Sequence, residues 1–209
     1  MPVGVIRGKA VPLDLANVDT DRIIPARFLK RRRGPDYRDY LFHDDRFDAE
    51  GRPRPGFVLD DPAYRGARIL VAAANFGVGS AREGAVWALQ AFGFEAVLAA
   101  SFGDVFRTNC AKNGLLTIAL PAVALDGLRR TVIESPGAEL EIDLPKQRVA
   151  GSHGTIFEFD VDAFEKRLLI EGKDEISLTL DYLSIIEAFE RTYRPIPVGA
   201  GNARGTAPR

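Results

Sequence analysis

The sequence predicts an α/β fold with a parallel β-α-β-α-β centre, because apolar runs alternate with helical patterns along its middle third. Three apolar runs have the length and composition of buried strands: 68–74, 94–100 and 115–120. Helical patterns fill the two intervals between them, near 82–92 and 102–113. Strands that alternate with helices in this way form parallel sheets with right-handed crossovers.

Turn and capping signals mark the ends of the two helices. Gly93 and Gly114 follow the helical patterns, and glycine favours the left-handed conformation that ends a helix. Ser101 and Asp104 form a capping-box-like pair, which predicts that the second helix begins directly after Ser101.

The region before this centre consists of an extended start and a long excursion. Residues 1–30 have the pattern of extended structure, interrupted by the polar turn 17–21. Residues 30–66 contain the basic run Lys30–Arg33 and many glycines and prolines, which favours a long excursion over regular structure. Loops of this length often carry function.

The region after residue 120 has the patterns of further helices and strands. Apolar residues at helical spacing predict one helix: Leu125, Leu128, Val132 and Ile133. Alternation in Glu139–Leu144 predicts a half-exposed strand, and 147–159 has the pattern of a hairpin. A helix is expected to begin after Asp162.

The end of the chain is expected to contribute one more helix and a tail. An apolar stripe marks this last helix: Tyr182, Ile185, Ile186, Phe189 and Tyr193. We expect one domain over residues 1–194 and a disordered tail, rich in glycine, proline and alanine, over 195–209.

The composition is that of an ordinary globular protein. Of the 209 residues, 46% are hydrophobic and 27% are charged, and the net charge is -1. This balance gives no reason to expect nucleic acid or a membrane surface as a partner, and no apolar stretch approaches the ~20 residues of a membrane span. The first residues lack the basic-then-apolar pattern of a signal peptide, so we expect a cytoplasmic protein.

Cysteine and histidine content argues against a metal centre built by this chain. Cys110 is the single cysteine, so it cannot form an internal disulfide or hold an iron–sulfur cluster or a structural zinc site. Any such centre must come from another chain. We expect Cys110 to be a small buried apolar residue, and neither His43 nor His153 to be a metal ligand.

The stretch Asn75–Trp87 is the most informative part of the chain. A strand that stops at a Gly-x-Gly-Ser turn and continues as a helix points free N–H groups at one spot, and Arg82 adds a cation there. Together with the hydroxyl of Ser80, these groups suit a substrate that carries negative charge and loses a proton. The turn is neither a dinucleotide-binding fingerprint nor a P-loop, since Arg82 replaces the third glycine and no Gly-Lys-Ser/Thr follows. The alternative is that it packs a helix against a sheet and has no chemical role.

Several separated motifs resemble the small subunit of 3-isopropylmalate dehydratase, of the aconitase superfamily. In chain order they are Asn17–Pro25, Phe28–Lys30, Phe47, the turn at 75–89, Ala100–Phe106, Asn109, Asn113–Leu116, Gly172, Asp174–Ile176 and Leu178–Leu180. The resemblance implies an aconitase-type swivelling β/β/α domain. It also implies a large-subunit partner that carries a [4Fe–4S] cluster and a small dicarboxylate as substrate, with no cofactor in this chain.

The resemblance implies a role for each residue of the turn. Ser80 matches the base that removes a proton from the carbon next to a carboxylate, and Arg82 matches a residue that binds a substrate carboxylate. Asp21 matches the aspartate of the site's hydrogen-bond network. The expected substrate contacts further include Gly79, Ala81 and Arg33 in the loop 31–37.

Departures from the family pattern keep three functions open. The family usually has Cys, Ser, His and Pro where this chain has Val78, Ala81, Gly84 and Val86, and the loop after Arg33 also differs. The first function is a hydro-lyase subunit that isomerises 2-isopropylmalate to 3-isopropylmalate in leucine biosynthesis. The second is a related hydro-lyase for a methylmalate or dimethylmalate, and the third is a non-catalytic paralogue.

Overall fold

The computed structural model describes residues 2–151 and 154–193, and strands from these residues form a single seven-stranded sheet. The strands are β1 (Val5–Leu13), β2 (Ile69–Ala72), β3 (Ala96–Ala99), β4 (Leu116–Ala119), β5 (Glu139–Asp143), β6 (Arg148–Ala150) and β7 (Ile156–Glu158). Their order across the sheet is β4-β3-β2-β1-β5-β6-β7.

The helices fall between and after these strands. They are α1 (Thr20–Ile23), α2 (Tyr37–Tyr40), α3 (His43–Arg46), α4 (Glu83–Phe92), α5 (Asp104–Asn113), α6 (Ala122–Glu134), α7 (Ala163–Glu171), α8 (Glu175–Leu180) and α9 (Leu183–Thr192). In the described residues, none of these helices is both long and apolar enough to cross a membrane.

The parallel centre predicted from the sequence is confirmed. β2, β3 and β4 pair in parallel, with Ile69 opposite Ala96 and Ala96 opposite Leu116, while α4 and α5 form the connections. Every residue of β2 and β3 is buried, which explains why their sequences are continuous apolar runs. Gly93 and Gly114 end α4 and α5, as predicted.

β1 joins the two halves of the sheet. It pairs in parallel with β2, where Ala10 lies opposite Ile69, and antiparallel with β5, where Val5 lies opposite Asp143. β6 and β7 continue the antiparallel half as the predicted hairpin.

The predicted helices beyond β4 are also present. In α6 the side chains of Leu125, Leu128 and Val132 are buried, and the helix packs against β1, β2 and β3. Ile133 was expected on the same face but is exposed, since it follows Val132 directly and points about 100° away from it. α7 begins after Asp162, whose carboxylate accepts hydrogen bonds from the backbone N–H groups of the second and third helical residues.

The excursion 30–66 is built into the core of the molecule. Short helices and 3-10 turns replace the irregular structure expected for it, and Tyr37, Leu41 and Phe42 are fully buried. Arg46 is buried as well. It donates hydrogen bonds to Asp60 (2.8 Å) and to the backbone carbonyls of Arg38 (2.9 Å) and Leu41 (3.1 Å).

A boundary between two compact units falls between Asp174 and Glu175. The unit after the boundary contains α8 and α9, and α9 carries the predicted apolar stripe, in which the rings of Phe189 and Tyr193 stack 5.1 Å apart. The single domain expected over 1–194 stays a prediction. The tail 195–209 and His153 lie outside the described residues.

Candidate active site

The turn between β2 and α4 is a tight structure with three left-handed residues: Asn75, Gly77 and Gly79. Gly77 has a φ of +74°, and a Cβ atom placed there would lie 2.3 Å from the ring of Phe106. No side chain larger than hydrogen fits at this point. Glycine at position 77 is therefore required by the path of the backbone and by the ring of Phe106.

The segment before α1 holds the turn from one side. The N–H of Gly77 donates to the carbonyl of Val18 (2.7 Å), and the N–H of Thr20 donates to the carbonyl of Val78 (2.8 Å). The side-chain hydroxyl of Thr20 donates to the carbonyl of Ser80 (3.0 Å). A segment some sixty residues earlier in the chain thus fixes the backbone next to Ser80.

The loop between β3 and α5 holds the turn from the other side. The N–H of Asn75 donates to the hydroxyl of Ser101 (2.9 Å), and the N–H of Phe76 donates to the carbonyl of Ser101 (3.0 Å). The predicted capping role of Ser101 is therefore wrong. The cap position of α5 is Gly103, where a side chain would collide with the carbonyl of Gly77, so the helix begins at Asp104 and Ser101 bonds the turn instead.

Ser80 and Arg82 of the turn lie close to Asp21 of α1. Ser80 and Ala81 are exposed, and Arg82 is the residue immediately before α4. The guanidinium of Arg82, whose side chain is 15% exposed, forms an ion pair with the carboxylate of Asp21. Because Asp21 follows Thr20 on α1, the contacts that fix Ser80 also bring this carboxylate to Arg82.

Ser80 is not a helix cap in this structure. The cap position of α4 is Arg82, and no side chain forms a capping hydrogen bond there. Within the described part of the chain, no acceptor bonds the backbone N–H groups of Gly79, Ser80 or Ala81. These amides, the start of the α4 dipole and Arg82 form a positive surface around an exposed hydroxyl, which suits an anionic substrate.

Arg33 lies at a different place on α4. Its guanidinium donates to the side-chain oxygen of Gln90 (3.0 Å) and lies 5.3 Å from the ring centroid of Trp87. Gln90 is eight residues after Arg82, a rise of about 12 Å along a helix. The structure therefore brings together Ser80, Arg82, Asp21, Gly79 and Ala81 but leaves Arg33 apart, in a groove of about 290 Å³ next to Trp87.

Sequence reasoning did not single out Thr20, and no local signal identifies it. The local sequence shows Thr20 only as one member of a polar turn, and its partners Val78 and Ser80 are distant in the chain. Asn113 was also missed as a link between elements: its side chain accepts from Trp87 (3.0 Å) and donates to Glu83 (2.8 Å).

The site is open in this chain. Ser80 and Asp21 are both exposed, and a groove of about 800 Å³ between the end of β1 and the excursion is lined by other residues. Across residues 2–151 and 154–193, no group of three or more His, Cys, Asp or Glu side chains is arranged to hold a metal ion. Cys110 is buried in α5, as predicted, and burial raises the pKa of its thiol.

Two family models match the chain. The model described as the aconitase C-terminal domain matches residues 3–123, which include β1 and the whole turn. A second model, LeuD_N, matches residues 126–163.

Curated relatives cover almost the whole chain. The 3-isopropylmalate dehydratase small subunit of Roseobacter denitrificans is 46% identical over 90% of this chain and 93% of its own length. The small subunit of Geobacillus kaustophilus is also 46% identical, over 94% of this chain and 99% of its own length.

A solved structure has the same fold. The crystal structure of 3-isopropylmalate dehydratase from Methanocaldococcus jannaschii superimposes with a TM-score of 0.60 at 26% identity. The match covers 89% of this chain and 99% of that one.

Proposed function

The chain belongs to the family of 3-isopropylmalate dehydratase small subunits, and on that premise we propose that it supplies the proton-transfer residues of a hydro-lyase. The enzyme interconverts 2-isopropylmalate and 3-isopropylmalate in leucine biosynthesis, by dehydration followed by rehydration. The aconitase-type fold class expected from the resemblance is confirmed. The observation that carries the proposal is the placement of Ser80 beside the Arg82–Asp21 pair at the start of α4.

Ser80 is the proposed base. A serine alkoxide is a strong base but is unfavourable in water at neutral pH. The unbonded amides of the turn, the positive end of the ten-residue helix α4 and the guanidinium of Arg82 all favour negative charge at this spot. The same groups stabilise the charge that develops on the substrate as its proton leaves.

Arg82 is the proposed ligand of a substrate carboxylate, and Asp21 is its positioning partner. One terminal nitrogen of Arg82 faces Asp21, and a guanidinium has five N–H donors in a planar fork. The remaining donors suit a carboxylate, and the exposed amides of Gly79 and Ala81 supply further hydrogen bonds.

Arg33 acts on substrate choice through the loop 31–37. Its contacts with Gln90 and Trp87 attach this loop to α4, so we propose that the loop senses the isopropyl group from a position that Arg33 sets. Tyr37, the last residue of the loop, is fully buried, so residues 34–36 are the part free to vary with substrate.

The iron–sulfur cluster is proposed to reside on the large subunit. The residues of this chain do not fit it, because Cys110 is the single cysteine and is fully buried. When bound in the partner, the cluster would supply the Lewis acid that assists departure of hydroxide. The open site of this chain fits a complex in which the large subunit closes it. The cytoplasmic location stays a prediction.

The proposal is tested in a complex reconstituted from this chain and a cluster-bearing large subunit. Ser80→Ala is expected to lower kcat by ~10²–10⁴-fold, the usual loss when a positioned proton-transfer group is removed, while substrate still binds. Ser135→Ala is the matched control, since Ser135 is an exposed serine at the end of α6.

Two results would contradict the proposal. The first is a Ser80→Ala complex whose turnover stays within a few-fold of the parent. The second is hydration of isopropylmaleate by this chain without the large subunit, because the isolated chain is expected to be inactive.

A further inference from the structure

Thr20 makes two hydrogen bonds to the turn that carries Ser80. The residue is 1% exposed, its hydroxyl donates to the carbonyl of Ser80 (3.0 Å), and its N–H donates to the carbonyl of Val78 (2.8 Å). Polar side chains are rarely buried so completely without a specific bonding role. The Thr20 hydroxyl donates its hydrogen bond to one atom, the carbonyl oxygen of Ser80.

The direction of that carbonyl determines the direction of the next amide. A trans peptide is planar, with its C=O and N–H on opposite sides. With the carbonyl of Ser80 turned toward the buried Thr20, the N–H of Ala81 points the opposite way, toward the exposed face of the turn. Within the described residues this N–H meets no acceptor, so it is free to bond a ligand.

We propose that Thr20 is a positioning residue that holds Ser80 and aims the Ala81 N–H at the substrate. The inference rests on the proposed function, in which Ser80 is the base. Thr20 itself does not contact the substrate. It acts through the Ser80–Ala81 peptide, whose orientation places both the serine side chain and one hydrogen-bond donor.

A positioning role differs from a packing role in what it changes. A packing residue affects the amount of folded protein and lowers activity independently of Ser80. A positioning residue lowers kcat more than it raises KM, and the part of its effect that acts through Ser80 disappears once the serine hydroxyl is gone. Misplacement of reacting groups by about 1 Å typically costs up to about 10²-fold in rate.

The test is a double-mutant cycle in the complex reconstituted with the large subunit. Thr20→Val replaces the hydroxyl by a methyl group of similar size, and Thr20→Ser keeps the hydroxyl. We expect Thr20→Val to lower kcat by roughly 10- to 100-fold with KM nearly unchanged, and Thr20→Ser to restore kcat to within about three-fold. In the Ser80→Ala background, Thr20→Val is expected to lower the residual rate by no more than about two-fold, because only the Ala81 N–H is then left to be misplaced.

A matched control separates this effect from the general loss of a hydroxyl bond. The hydroxyl of Thr131 on α6 also donates to a backbone carbonyl, that of Gly127 (3.0 Å), away from the turn. Thr131→Val is therefore expected to leave kcat unchanged.

A second measurement reports on the turn without catalysis. Amide hydrogen exchange of the peptide spanning 76–84, in the full chain, is expected to be faster in Thr20→Val than in the parent or in Thr20→Ser. Equal exchange in all three proteins would overturn the inference, even if the residual rate of Ser80→Ala were too low for the cycle.

The kinetic outcomes distinguish this inference from the proposed function. If Ser80→Ala abolishes turnover while Thr20→Val does not change it, the inference is wrong and the proposed function stands. If Ser80→Ala is active, both fail. An equal loss from Thr20→Val with and without Ser80 would assign Thr20 a packing role.

Discussion

Gly77 shows how little freedom the turn leaves to individual residues. Its φ is +74°, and the ring of Phe106 occupies the place of a Cβ atom. Gly103, on the neighbouring loop, is restricted in the same way by the carbonyl of Gly77, 2.5 Å from where its own Cβ would lie. The two glycines let the two loops touch, which is why Ser101 can bond the turn.

We predict that Gly77→Ala destabilises the protein by about 2–5 kcal/mol in the free energy of unfolding. About 1–2 kcal/mol comes from the left-handed backbone and about 1–3 kcal/mol from overpacking against Phe106. Gly56→Ala is the control, because Gly56 has a φ of +88° but no atom within 4 Å of its Cβ position. Denaturant unfolding of both variants checks this, and equal losses would show that the ring makes no contribution.

For individual residues, the sequence predicted which ones belong to the candidate site better than it predicted their hydrogen bonds. The resemblance selected Ser80, Arg82 and Asp21, and the structure brings them to one place, although their roles stay predictions. It did not select Thr20, because a hydrogen bond between residues sixty positions apart leaves no pattern in the local sequence. The prediction for Ser101 failed for a related reason. Its spacing from Asp104 fits a capping box, but its hydroxyl accepts a hydrogen bond from the distant Asn75 N–H instead.

Among the elements, the excursion 30–66 departs most from its expected character. Its composition favours a loop, yet Tyr37, Leu41 and Phe42 belong to the core, and Tyr37 lies edge-on to Trp87 of α4 (5.9 Å between ring centroids). A Cβ atom at Gly84 on α4 would lie only 3.2 Å from the side chain of Leu29. The small residue at 84 thus allows the segment before and within the excursion to pack closely on α4.

We predict that Arg46→Met loosens the excursion and lowers the free energy of unfolding by about 2–4 kcal/mol. Breaking a buried ion pair costs about 3–5 kcal/mol when the remaining charge stays buried, and the lower range applies because the side chain of Asp60 is 36% exposed. The carbonyls of Arg38 and Leu41 also lose their donor.

A control for this prediction lies in the same excursion. Arg52, whose side chain is 71% exposed, pairs with Asp48 and Glu50, and an exposed pair is typically worth about 0.2–1 kcal/mol. Arg52→Met is therefore expected to cost less than 1 kcal/mol. Limited proteolysis within 30–66 should increase in Arg46→Met and not in Arg52→Met. The opposite ranking of the two variants would contradict the role assigned to Arg46.

The sequence predicted the longer helices and the strands because their apolar residues follow a helical spacing or form continuous runs. The bounds of β2, α4, β3, α5 and β4 lie within about two residues of those expected. α2 and α3 were missed because each is a single turn of four residues, too short to show a helical period.

For the whole molecule, four carboxylates couple stability to pH. In each of these carboxylates, a hydrogen bond is the main reason that the pKa lies below its ordinary value. Asp44 accepts from the Arg27 side chain and Glu171 from the Arg167 side chain. Asp48 accepts from the backbone amide of Arg52 and Asp143 from that of Lys146. A folded-state pKa below the unfolded one means that the unfolded chain binds more protons in acid.

We therefore predict that stability falls as the protein is acidified. The contribution of these groups is complete well above the ordinary values of 3.8 for Asp and 4.5 for Glu, and it is lost as pH falls through the lower folded-state values. The free energy of unfolding, measured at several pH values, should be level above about pH 6 and decline below about pH 5. Because the side chain of Asp44 is 63% exposed, added salt should reduce its part of the decline. Stability that rises from pH 5 to pH 3 would contradict this assignment.

The arrangement of the whole sheet was the least predictable feature. The parallel centre follows from the local order of strands and helices, but the position of β1 between β2 and β5 does not. Both of its pairings are made with strands that lie far along the chain. No short stretch of sequence encodes which strands become neighbours.

The position of β1 also imposes an order on folding during synthesis. β1 is made before the other six strands of this sheet and can pair with β2 once residue 72 has emerged, but its other edge stays open until β5, ending at Asp143, has been made. Through that interval the middle of the finished sheet is an unprotected edge, the kind of surface that joins other chains. The nascent protein is thus most prone to aggregation between the synthesis of β2 and that of β5, and truncation before Glu139 leaves the second edge of β1 without its partner strand.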